Sequence, residues 1–415
     1  MDVTVLGAGI TGVATAEWLR RAGHRVTLID RLRPGDPGQT SYGNAGILAC
    51  GAVVPVSVPG LWKKALGMAL SPDQPLFLRW QYFPRFLPWA LRFLAQGSQA
   101  RVAENAAALA PIITDAVDQH LALAEGTPAA AFIRRGPYVF LYRDRAAFEK
   151  DALGWALRRT HEIPFETWDR ARMEAEMPGI APEFGFAAAQ LDHGWVRDPG
   201  GYVAALFAHF SAAGGRFLQA EMRGLTPSEG GGATLYLSDG STHTAPRLVV
   251  AAGVWAARIA ADLGHAPRLE AERGYHLFLR GAAEAPPFPL MIADAKAAVT
   301  PMAAGLRVGG VAEYAGIDGP EAEAPRRLIE RAARRLYPDL PWEAAESWMG
   351  RRPTTIDSLP LLGESPAAPG IVFATGGQHL GLTMGARLGR LAAGIVTAQP
   401  PNIDITPYRM DRFAR

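Results

Sequence analysis

The chain contains one cysteine, Cys50, among its 415 residues. A single thiol can neither close an intrachain disulfide nor supply a thiolate cluster for a metal, so disulfide-stapled and zinc-cluster folds are excluded. The nine histidines form no metal-ligand pattern such as H-E-x-x-H. We therefore predict that the protein holds no metal ion and that Cys50 is a small buried hydrophobic side chain.

The sequence also lacks an excess of charge and a long hydrophobic run. Its 42 basic and 40 acidic residues leave a net charge of +2, which gives no reason to expect nucleic acid as a partner. No stretch of about 18 uninterrupted apolar residues is present, and a strand pattern starts at Asp2 without a leader before it. The cytoplasm is therefore the expected compartment.

One segment, PLFLRWQYFPRFLPWALRFL at residues 75–94, keeps an alternative open. It mixes aromatic residues and leucines with arginines, and Pro84 and Pro88 interrupt it. We interpret it as a pair of helices that is buried or forms an interface beside the core. The alternative is a surface patch that contacts the inner face of the cell membrane or a quinone-linked partner.

The first 30 residues predict a strand, a glycine loop, a helix and a second strand. The apolar run before Gly7 is typical of a buried parallel strand, and RVTLID, which ends in Asp30, forms the second one. Gly7, Gly9 and Gly12 form G-x-G-x-x-G, which permits a tight turn, close approach of a pyrophosphate and close packing of helix on strand. Asp30 is placed to accept a hydrogen bond from a ribose hydroxyl. The segment predicts a dinucleotide site, but NAD and FAD share the ADP half that it binds.

The stretch after the second strand favours FAD. Residues 38–60 are mostly small and polar, whereas a nicotinamide enzyme would continue with regular alternation of strand and helix. Thr40, Ser41 and Asn44 offer hydroxyl and amide groups, and Gly46 permits close approach of the backbone. A loop of this length is usually functional, and it suits a cofactor that is buried along its whole length, as an extended FAD must be.

A second strand, glycine loop and helix lie near the C-terminus, in IVFATGGQHLGLTMGARLGRLAAGIV. Residues 371–374 form the predicted strand, and the glycines at 376, 377 and 381 leave room for a flat ring against the backbone. The helix is predicted to begin near Leu382 and Thr383, where its first N–H groups carry about half a positive charge. Directed at the N1–C2=O end of a reduced flavin, this terminus would stabilise the negative charge there.

Six segments, in the same order along the whole chain, resemble the D-amino-acid dehydrogenase group of the FAD-dependent D-amino-acid oxidase superfamily. They are GAGITG…LIDR paired with TSYGNAG, then HGWVRDPGGYVAAL (193–206), LVVAAGVWA (248–256), ERGYHLFL (272–279), WMGRRPTTIDSLPLLG (348–363) and GGQHLGLTMG (376–385). The resemblance implies oxidation of a D-amino acid by hydride transfer from Cα to flavin N5, which gives an imino acid. The last two segments look closest to enzymes that oxidise cis-4-hydroxy-D-proline, so this compound or D-proline is the expected substrate.

Two alternatives to this function stay open from the sequence. The first is an amine oxidase of the glycine or sarcosine type, which returns electrons to oxygen. The second is a flavoprotein subunit of a larger dehydrogenase complex. The resemblance also implies an electron acceptor, a quinone or an electron-transfer chain, and a homo-oligomer is a further expectation.

The resemblance assigns four residues to the substrate region. Arg352, in GRRPTT, stands where related enzymes place an arginine near the substrate carboxylate, whose shape the planar guanidinium matches; Arg351 is its immediate competitor. Tyr275 and His276 point to opposite faces if their segment is extended, so that one of them faces the substrate. His379 is expected to hydrogen-bond the cofactor or the substrate.

The chain departs from some relatives at a second carboxylate arginine. Met302 stands at that position, so a second arginine clamp is not expected unless Arg307 or Arg273 substitutes for it. No cysteine or histidine occupies the positions that such enzymes use for covalent attachment of the flavin, which predicts noncovalent FAD. The residues expected to contact it are Gly7, Gly9, Ile10, Thr11, Gly12, Asp30, Arg31, Thr40, Ser41, Asn44, Ala45, Gly46, Ile47, Ala252, Gly253, Gly350, Gly376, Gly377, His379, Leu380, Gly381, Leu382 and Thr383.

The predicted fold class is α/β, with two interleaved domains. A dinucleotide-binding FAD domain is expected from residues 1–75, 190–262 and 345–415. An α+β substrate domain with a mixed sheet is expected from residues 76–189 and 263–344, with strands bounded by glycine and proline and an amphipathic helix in its second part.

Overall fold

The computed structural model describes residues 1–63, 67, 74–282 and 286–413. The strands, numbered in chain order, are β1 Asp2–Leu6, β2 Arg25–Asp30, β3 Ile47–Leu48, β4 Leu76–Leu78, β5 Ile133–Tyr142, β6 Phe165–Asp169, β7 Phe186–Val196, β8 Arg216–Gln219, β9 Met222–Pro227, β10 Ala233–Leu237, β11 Thr242–Ala245, β12 Leu248–Val250, β13 Leu269–Arg280, β14 Leu290–Ile292, β15 Ala297–Met302, β16 Gly305–Tyr314, β17 Ala344–Thr355, β18 Leu361–Ser365 and β19 Ala368–Thr375. The α-helices are α1 Ile10–Arg21, α2 Phe83–Ala95, α3 Gln99–Ile113, α4 Ala116–Ala124, α5 Arg145–Glu149, α6 Ala152–Thr160, α7 Arg170–Glu176, α8 Pro199–Ala212, α9 Ala256–Asp262, α10 Glu323–Leu336 and α11 Gly381–Val396.

A six-stranded sheet forms the dinucleotide-binding half of the fold, with strand order β18-β19-β12-β1-β2-β8. All neighbours in it are parallel except the β18–β19 pair. Its central strands are short and fully buried apolar runs, as strands covered on both faces must be. Because parallel strands end at one edge, the loops after β1, β2, β8, β12 and β19 meet there.

The two predicted strand–loop–helix segments lie side by side in this half, because α1 packs directly on α11. A Cβ atom at Gly389 would come within 2.6 Å of the Ala14 side chain, and one at Gly385 within 2.7 Å of Ile10. Two of the C-terminal glycines therefore serve helix packing and not the cofactor. A three-stranded antiparallel sheet, β9–β11, precedes β12.

A mixed sheet with order β17-β13-β16-β15-β14-β5-β7-β3 forms the other half, with β4 and β6 paired to its strands. Sheet membership corrects the predicted segment boundaries at both ends. β17 pairs with β13 over its whole length, so the dinucleotide-binding half resumes after Thr355 and not at residue 345. β7 and β3 also pair within the mixed sheet, although both lie in segments assigned to the FAD domain.

Helices α3 and α4 are a further correction, because they lie in the segment assigned to the substrate domain. Their buried residues Leu109, Ile113 and Val117 belong to the same hydrophobic core as α1 and α11. The chain therefore covers α1 and α11 with helices from a segment that was assigned to the other domain. An apolar face on a helix does not specify which sheet it covers, so the sequence pattern could not predict this.

The segment 75–94 forms β4 and one helix, α2, and not the predicted pair of helices. Pro84 lies in the first turn of α2, where its missing N–H costs nothing, and the helix continues through Pro88. Phe86, Trp89 and Phe93 bury the inner face of α2 against Tyr314. No helix within the described ranges has the length and apolar character that a membrane crossing needs.

Candidate active site

An elongated cavity lies where the carboxyl ends of the parallel strands meet, and the first glycine loop forms one side of it. Gly7 has a φ of +104°, and a Cβ there would lie 2.4 Å from the Ala251 carbonyl oxygen. A Cβ on Gly12 would lie 1.8 Å from the carbonyl oxygen of Gly7, so Gly12 allows helix and strand to approach. Gly9 faces only the Ser41 hydroxyl at 3.1 Å, which leaves its outer side to a ligand.

Asp30 lies at the cavity, at the end of β2. One of its carboxylate oxygens accepts a hydrogen bond from Ala8 N–H at 2.6 Å and the other accepts one from Leu32 N–H at 2.9 Å. Burial raises the pKa of this carboxyl, and the two N–H donors oppose that effect. The oxygen that accepts from Leu32 keeps a lone pair for a further donor, as recognition of a ribose hydroxyl requires.

The predicted cofactor residues divide into those that line this cavity and those that do not. The first group is Gly7, Gly9, Ile10, Thr11, Asp30, Arg31, Thr40, Ser41, Asn44, Ala252, Gly253, Gly376, Gly377, Gly381 and Leu382. The second group, Gly12, Ala45, Gly46, Ile47, Gly350, His379, Leu380 and Thr383, lies next to lining residues but outside the lining itself. The cavity runs between the two glycine loops, so one extended ligand can contact both.

The second glycine loop has the predicted order, with β19 before it and α11 after it. Gly376 makes the turn with a φ of +81°, and α11 begins at Gly381, so its free N–H groups lie at the cavity wall. The hydroxyl of Thr383 is committed elsewhere, because it donates to Ile47 O at 3.0 Å and accepts from Ala49 N–H at 3.2 Å. The Thr383 side chain therefore joins α11 to the long loop, and a contact of its backbone N–H with the cofactor stays a prediction.

Arg352 extends from β17 beside Glu272 of β13. Its Nη1 donates to Glu272 Oε1 at 2.6 Å and to Val311 O at 3.3 Å, while no acceptor within the described ranges contacts Nε or Nη2. The free edge can therefore bind a second carboxylate in the two-bond geometry. The guanidinium lies over Gly274, where a Cβ would come within 2.3 Å of Cζ.

Glu272 is a site residue that the sequence did not predict. It is 5% exposed, and besides Arg352 it accepts a hydrogen bond from Thr354 Oγ1 at 3.1 Å. Although burial acts to raise the pKa of this carboxyl, Arg352, His379 and Thr354 together lower it, so Glu272 is ionised. The sequence alone does not indicate that a glutamate in a strand is buried, because burial of the carboxylate depends on a partner that is not yet known.

His379 lies beside this ion pair. Its side chain is exposed, and the neighbouring protein atoms lower the pKa of the imidazole by desolvation. Glu272 acts to raise that pKa and Arg352 to lower it, which places all three groups within electrostatic reach of one another. His379, Arg352 and Glu272 are the titratable cluster nearest the second glycine loop.

Tyr275 and His276 are both held by other contacts. The Tyr275 hydroxyl donates to Glu313 Oε2 at 2.6 Å and accepts from Ala322 N–H at 3.2 Å. His276 donates from Nδ1 to Gly43 O at 2.9 Å and stacks on Trp348, with ring centroids 5.0 Å apart. Burial lowers the pKa of His276 to about 3, so it is neutral. These contacts hold both side chains in place, and a contact of either one with the substrate stays a prediction.

The other candidate arginines have full or partial partners. Arg273 is completely buried and pairs with Glu313 at 3.0 Å, and it also donates to the carbonyls of Gly319 and Pro320. Arg351 donates from Nε to Ile317 O at 2.6 Å. Both arginines therefore hold the loop 315–322. Arg273 has no free pair of donors, whereas Nη1 and Nη2 of Arg351 contact no acceptor within the described ranges, so Arg351 stays a competitor of Arg352.

Trp255 and Gln39 are among the cavity residues that escaped prediction. Trp255 follows β12 and packs under the Arg31 guanidinium, 4.4 Å from its ring centroid. Gln39 donates weakly to Asp30 Oδ2 at 3.4 Å and accepts from Gly35 N–H at 3.0 Å. The sequence did indicate Trp255, because this residue follows the apolar run of LVVAAGVWA, which ends at the same sheet edge as the strand before Gly7.

The chain matches a family of known proteins over most of its length. The model of the DAO family, described as FAD dependent oxidoreductase, matches residues 2–395. The chain is 36% identical to a D-amino-acid oxidase of Bradyrhizobium diazoefficiens, over 99% of the chain and 98% of that protein. It is 32% identical to a D-amino acid dehydrogenase of Paramagnetospirillum magneticum, over 100% of the chain and 99% of that protein.

Solved structures agree in fold. The glycine oxidase from Geobacillus kaustophilus superposes with a TM-score of 0.73 at 22% identity, covering 99% of this chain and 98% of that one. The L-proline dehydrogenase from P. horikoshii gives a TM-score of 0.73 at 17% identity, covering 100% and 98%. These likenesses concern the fold alone. Together with the family match, they confirm the predicted α/β architecture, and the family match confirms FAD as the cofactor.

Proposed function

Because this chain belongs to the DAO family of FAD dependent oxidoreductases, we propose that it oxidises the Cα–N bond of a D-amino acid. The observation that carries the proposal is the free Nε/Nη2 edge of Arg352, held beside the second glycine loop by Glu272. The full-length similarity to a D-amino-acid oxidase and to D-amino acid dehydrogenases supports the choice of substrate class.

The cavity residues fit FAD. The loop around Gly9 would hold the pyrophosphate, Asp30 a ribose hydroxyl, and the start of α11 the flavin end. When bound, FAD would supply a hydride acceptor beside Cα. The nitrogen lone pair forms the C=N bond as the hydride leaves, and the resulting iminium loses a proton to give the imino acid. The imino acid either hydrolyses to a keto acid and ammonia or, for a ring amine, remains cyclic.

The protein's part in this reaction is to orient the amino acid and to hold its charges. Arg352 binds the substrate carboxylate through its free edge, while Glu272 keeps the guanidinium fixed over Gly274. His379, neutral because its pKa is lowered, accepts a hydrogen bond from the substrate amine. A neutral amine is required, because a protonated nitrogen has no lone pair to form the C=N bond.

The finer substrate that we propose is a cyclic secondary amine, D-proline or cis-4-hydroxy-D-proline. Its support is the resemblance of GGQHLGLTMG and RRPTTIDSLPLLG to enzymes that act on such amines. An anaerobic screen of D- and L-amino acids, in which bleaching of the flavin absorbance is measured, tests both the substrate class and the cyclic substrate. Bleaching by L-amino acids only would contradict the substrate class, and bleaching by D-alanine but by neither ring amine would contradict the cyclic substrate alone.

The electron acceptor that we propose is a quinone or an electron-transfer chain. The D-amino acid dehydrogenases among the relatives support this choice, whereas the relative at 36% identity is named an oxidase. Turnover is therefore measured with an artificial acceptor under nitrogen and with air alone. Peroxide formation in air at the rate seen with the acceptor would establish oxygen as the acceptor and contradict the proposal.

We also propose that α2 contacts an anionic membrane surface. Its outer face exposes Leu87 and Leu91, at 37% and 59%, and Trp80 before the helix is 55% exposed. Exposed Arg85 and Arg92 flank these side chains, and residues 75–94 contain no acidic residue. Insertion of apolar side chains together with attraction to anionic headgroups is the usual mode of interfacial binding.

Sedimentation with lipid vesicles tests this contact. The protein is expected to sediment with vesicles rich in anionic phospholipid and much less with neutral ones, and the double variant L87S/L91S is expected to stay in the supernatant. The matched control is L153S, which removes another exposed leucine, 39% exposed, from a helix outside the patch. Equal sedimentation of L87S/L91S and the unmodified protein would refute the contact.

A further inference from the structure

Three consecutive carbonyls of the long loop, those of Tyr42, Gly43 and Asn44, are bound from the mixed sheet. Arg307 of β16 donates from Nη1 to Tyr42 O at 3.1 Å and to Asn44 O at 2.5 Å. His276 of β13 donates to Gly43 O at 2.9 Å. The side chains of Arg307 and His276 therefore fix the orientation of the three peptide units that contain these carbonyls.

The N–H groups of these peptide units face the other way, because the C=O and N–H of one peptide point in opposite directions. Asn44 N–H donates to Ser41 O at 3.3 Å, whereas the N–H groups of Gly43 and Ala45 find no acceptor within the described ranges. Asn44 lines the cofactor cavity between them. Neighbouring N–H groups that point to one side form a site for negative charge.

Arg307 also brings an unpaired charge to this stretch. It is 7% exposed, its Nε has no hydrogen-bond partner, and no carboxylate of the described chain forms an ion pair with it. Burial lowers the pKa of Arg307 to about 10, and Asp198, which forms no ion pair with it, and Tyr42 act in the opposite sense. His276, the titratable side chain of the neighbouring strand, is neutral, so nothing in contact compensates the cation.

A buried cation without a counter-ion is costly, and a negative charge that appears nearby relieves that cost. The flavin becomes more negative when it is reduced, and charges near its ring system set its reduction potential. Asn44, in the loop that Arg307 binds, lines the cavity that would hold the cofactor.

We propose that Arg307 is a positioning residue that favours the reduced state of the bound flavin, through its own charge and by turning the N–H groups of residues 43 and 45 toward the cofactor. The inference rests on the proposed flavin chemistry. It does not depend on the substrate class, because the reduction potential is measured without any amino acid.

The test compares R307Q with R307K by anaerobic dye titration of the FAD-loaded protein. R307Q is expected to lose about tenfold in its preference for reduced flavin, which is roughly 30 mV for a two-electron couple. R307K keeps the charge and is expected to stay within about threefold of the unmodified protein. FAD affinity, measured by recovery of flavin fluorescence, separates a loosened loop from a change in potential.

R158Q is the matched control. Arg158 is also 7% exposed and also donates to a loop carbonyl, Gly51 O at 3.2 Å, but neither residue lines the cavity. Its removal is expected to leave the potential unchanged. An unchanged potential in R307Q, or an equal shift in R158Q, overturns the proposal. If R307Q does not retain FAD, R307K provides the test. A roughly tenfold loss of the preference for reduced flavin in R307K, in which the charge is kept, would also overturn the proposal.

Discussion

The guanidinium of Arg352 lies directly over the backbone of Gly274, two residues along β13 from the Glu272 carboxylate that it binds. Strand β13 therefore supplies both the counter-ion of the arginine and the flat surface on which it rests. One edge of the guanidinium is used by the protein and the other is left free. The absence of a side chain at residue 274 is as necessary to this arrangement as the presence of the carboxylate.

We expect G274A to weaken substrate binding. The new Cβ would come within 2.3 Å of Cζ, so the guanidinium must move away from its position beside Glu272. Loss of a charge-assisted contact to the substrate carboxylate corresponds to a roughly 10- to 100-fold rise in KM, with the visible flavin spectrum unchanged. Steady-state kinetics with the D-amino acid from the screen measures this.

The control for G274A is G230A, since a Cβ at Gly230 meets no atom within 4 Å. It should behave as the unmodified protein. A G274A protein with unchanged KM would show that Arg352 does not bind the substrate.

Substitutions of Gly12 and Gly9 in the first loop are expected to have different effects. G12A places a Cβ 1.8 Å from Gly7 O, a clash within the protein itself, so we expect a large loss of thermal stability both with and without FAD. G9A meets only the movable Ser41 hydroxyl at 3.1 Å, so the apoprotein should unfold near the normal temperature.

FAD binding by G9A should nevertheless fall by at least tenfold, because the added methyl group occupies the approach of the pyrophosphate. Thermal unfolding of the apoproteins and FAD titration by fluorescence give the two readings. Equal loss of apoprotein stability in both variants would contradict the separate roles.

FAD should be released in full when the protein is denatured by acid. Cys50 is the only thiol of the chain; it is buried, and its Sγ donates weakly to Leu48 O at 3.7 Å. Burial raises the pKa of this thiol, so the reactive thiolate is disfavoured. Yellow colour in the supernatant after acid precipitation, also for C50S, is the expected result, and colour that stays in the pellet would indicate a covalent bond.

Local patterns predicted the elements that hold the cofactor. The strand, glycine loop and helix around residues 2–21 and 371–396 occur where the spacing indicated, since glycine, apolar alternation and helix periodicity act over a few residues. The start of α11 at Gly381 differs from the predicted start by one or two residues.

Features that depend on distant residues could not be predicted. Glu272 acquires its role only when β13 lies beside β17, which brings Arg352 next to it across a separation of 80 residues. The continuation of α2 through Pro88 likewise depends on packing of Phe86 and Trp89 against Tyr314, which outweighs the cost of the proline. Thr383 was assigned to the cofactor as part of the helix start, and the contact of its hydroxyl with Ile47, which is remote in sequence, could not be predicted.

Buried neutral histidines should make the protein lose stability in acid. Burial lowers the pKa of His120 to about 4 and those of His193 and His276 to about 3, against an ordinary value of 6.5. His120 shows the structural reason, since its Nε2 donates to Leu382 O at 2.7 Å and its Nδ1 accepts from the Tyr202 hydroxyl at 2.9 Å. A second proton on the ring would force the Tyr202 hydroxyl to turn its own proton away and would place a charge in a fully buried site.

Between about pH 4 and pH 6.5 the unfolded chain therefore binds protons at these rings and the folded protein does not. The free energy of unfolding rises with pH across this window, by up to about 1.4 kcal/mol per pH unit for each ring, and levels off above about pH 7. Urea unfolding at pH 5, 6 and 7, followed by tryptophan fluorescence with FAD in excess, measures the slope. H120Q, whose amide can still donate to Leu382 O, should lower the slope between pH 5 and 6 by about one ring's contribution. A slope that is the same in H120Q and the unmodified protein would show that His120 is protonated in the folded state as well, against the burial that the structure gives it.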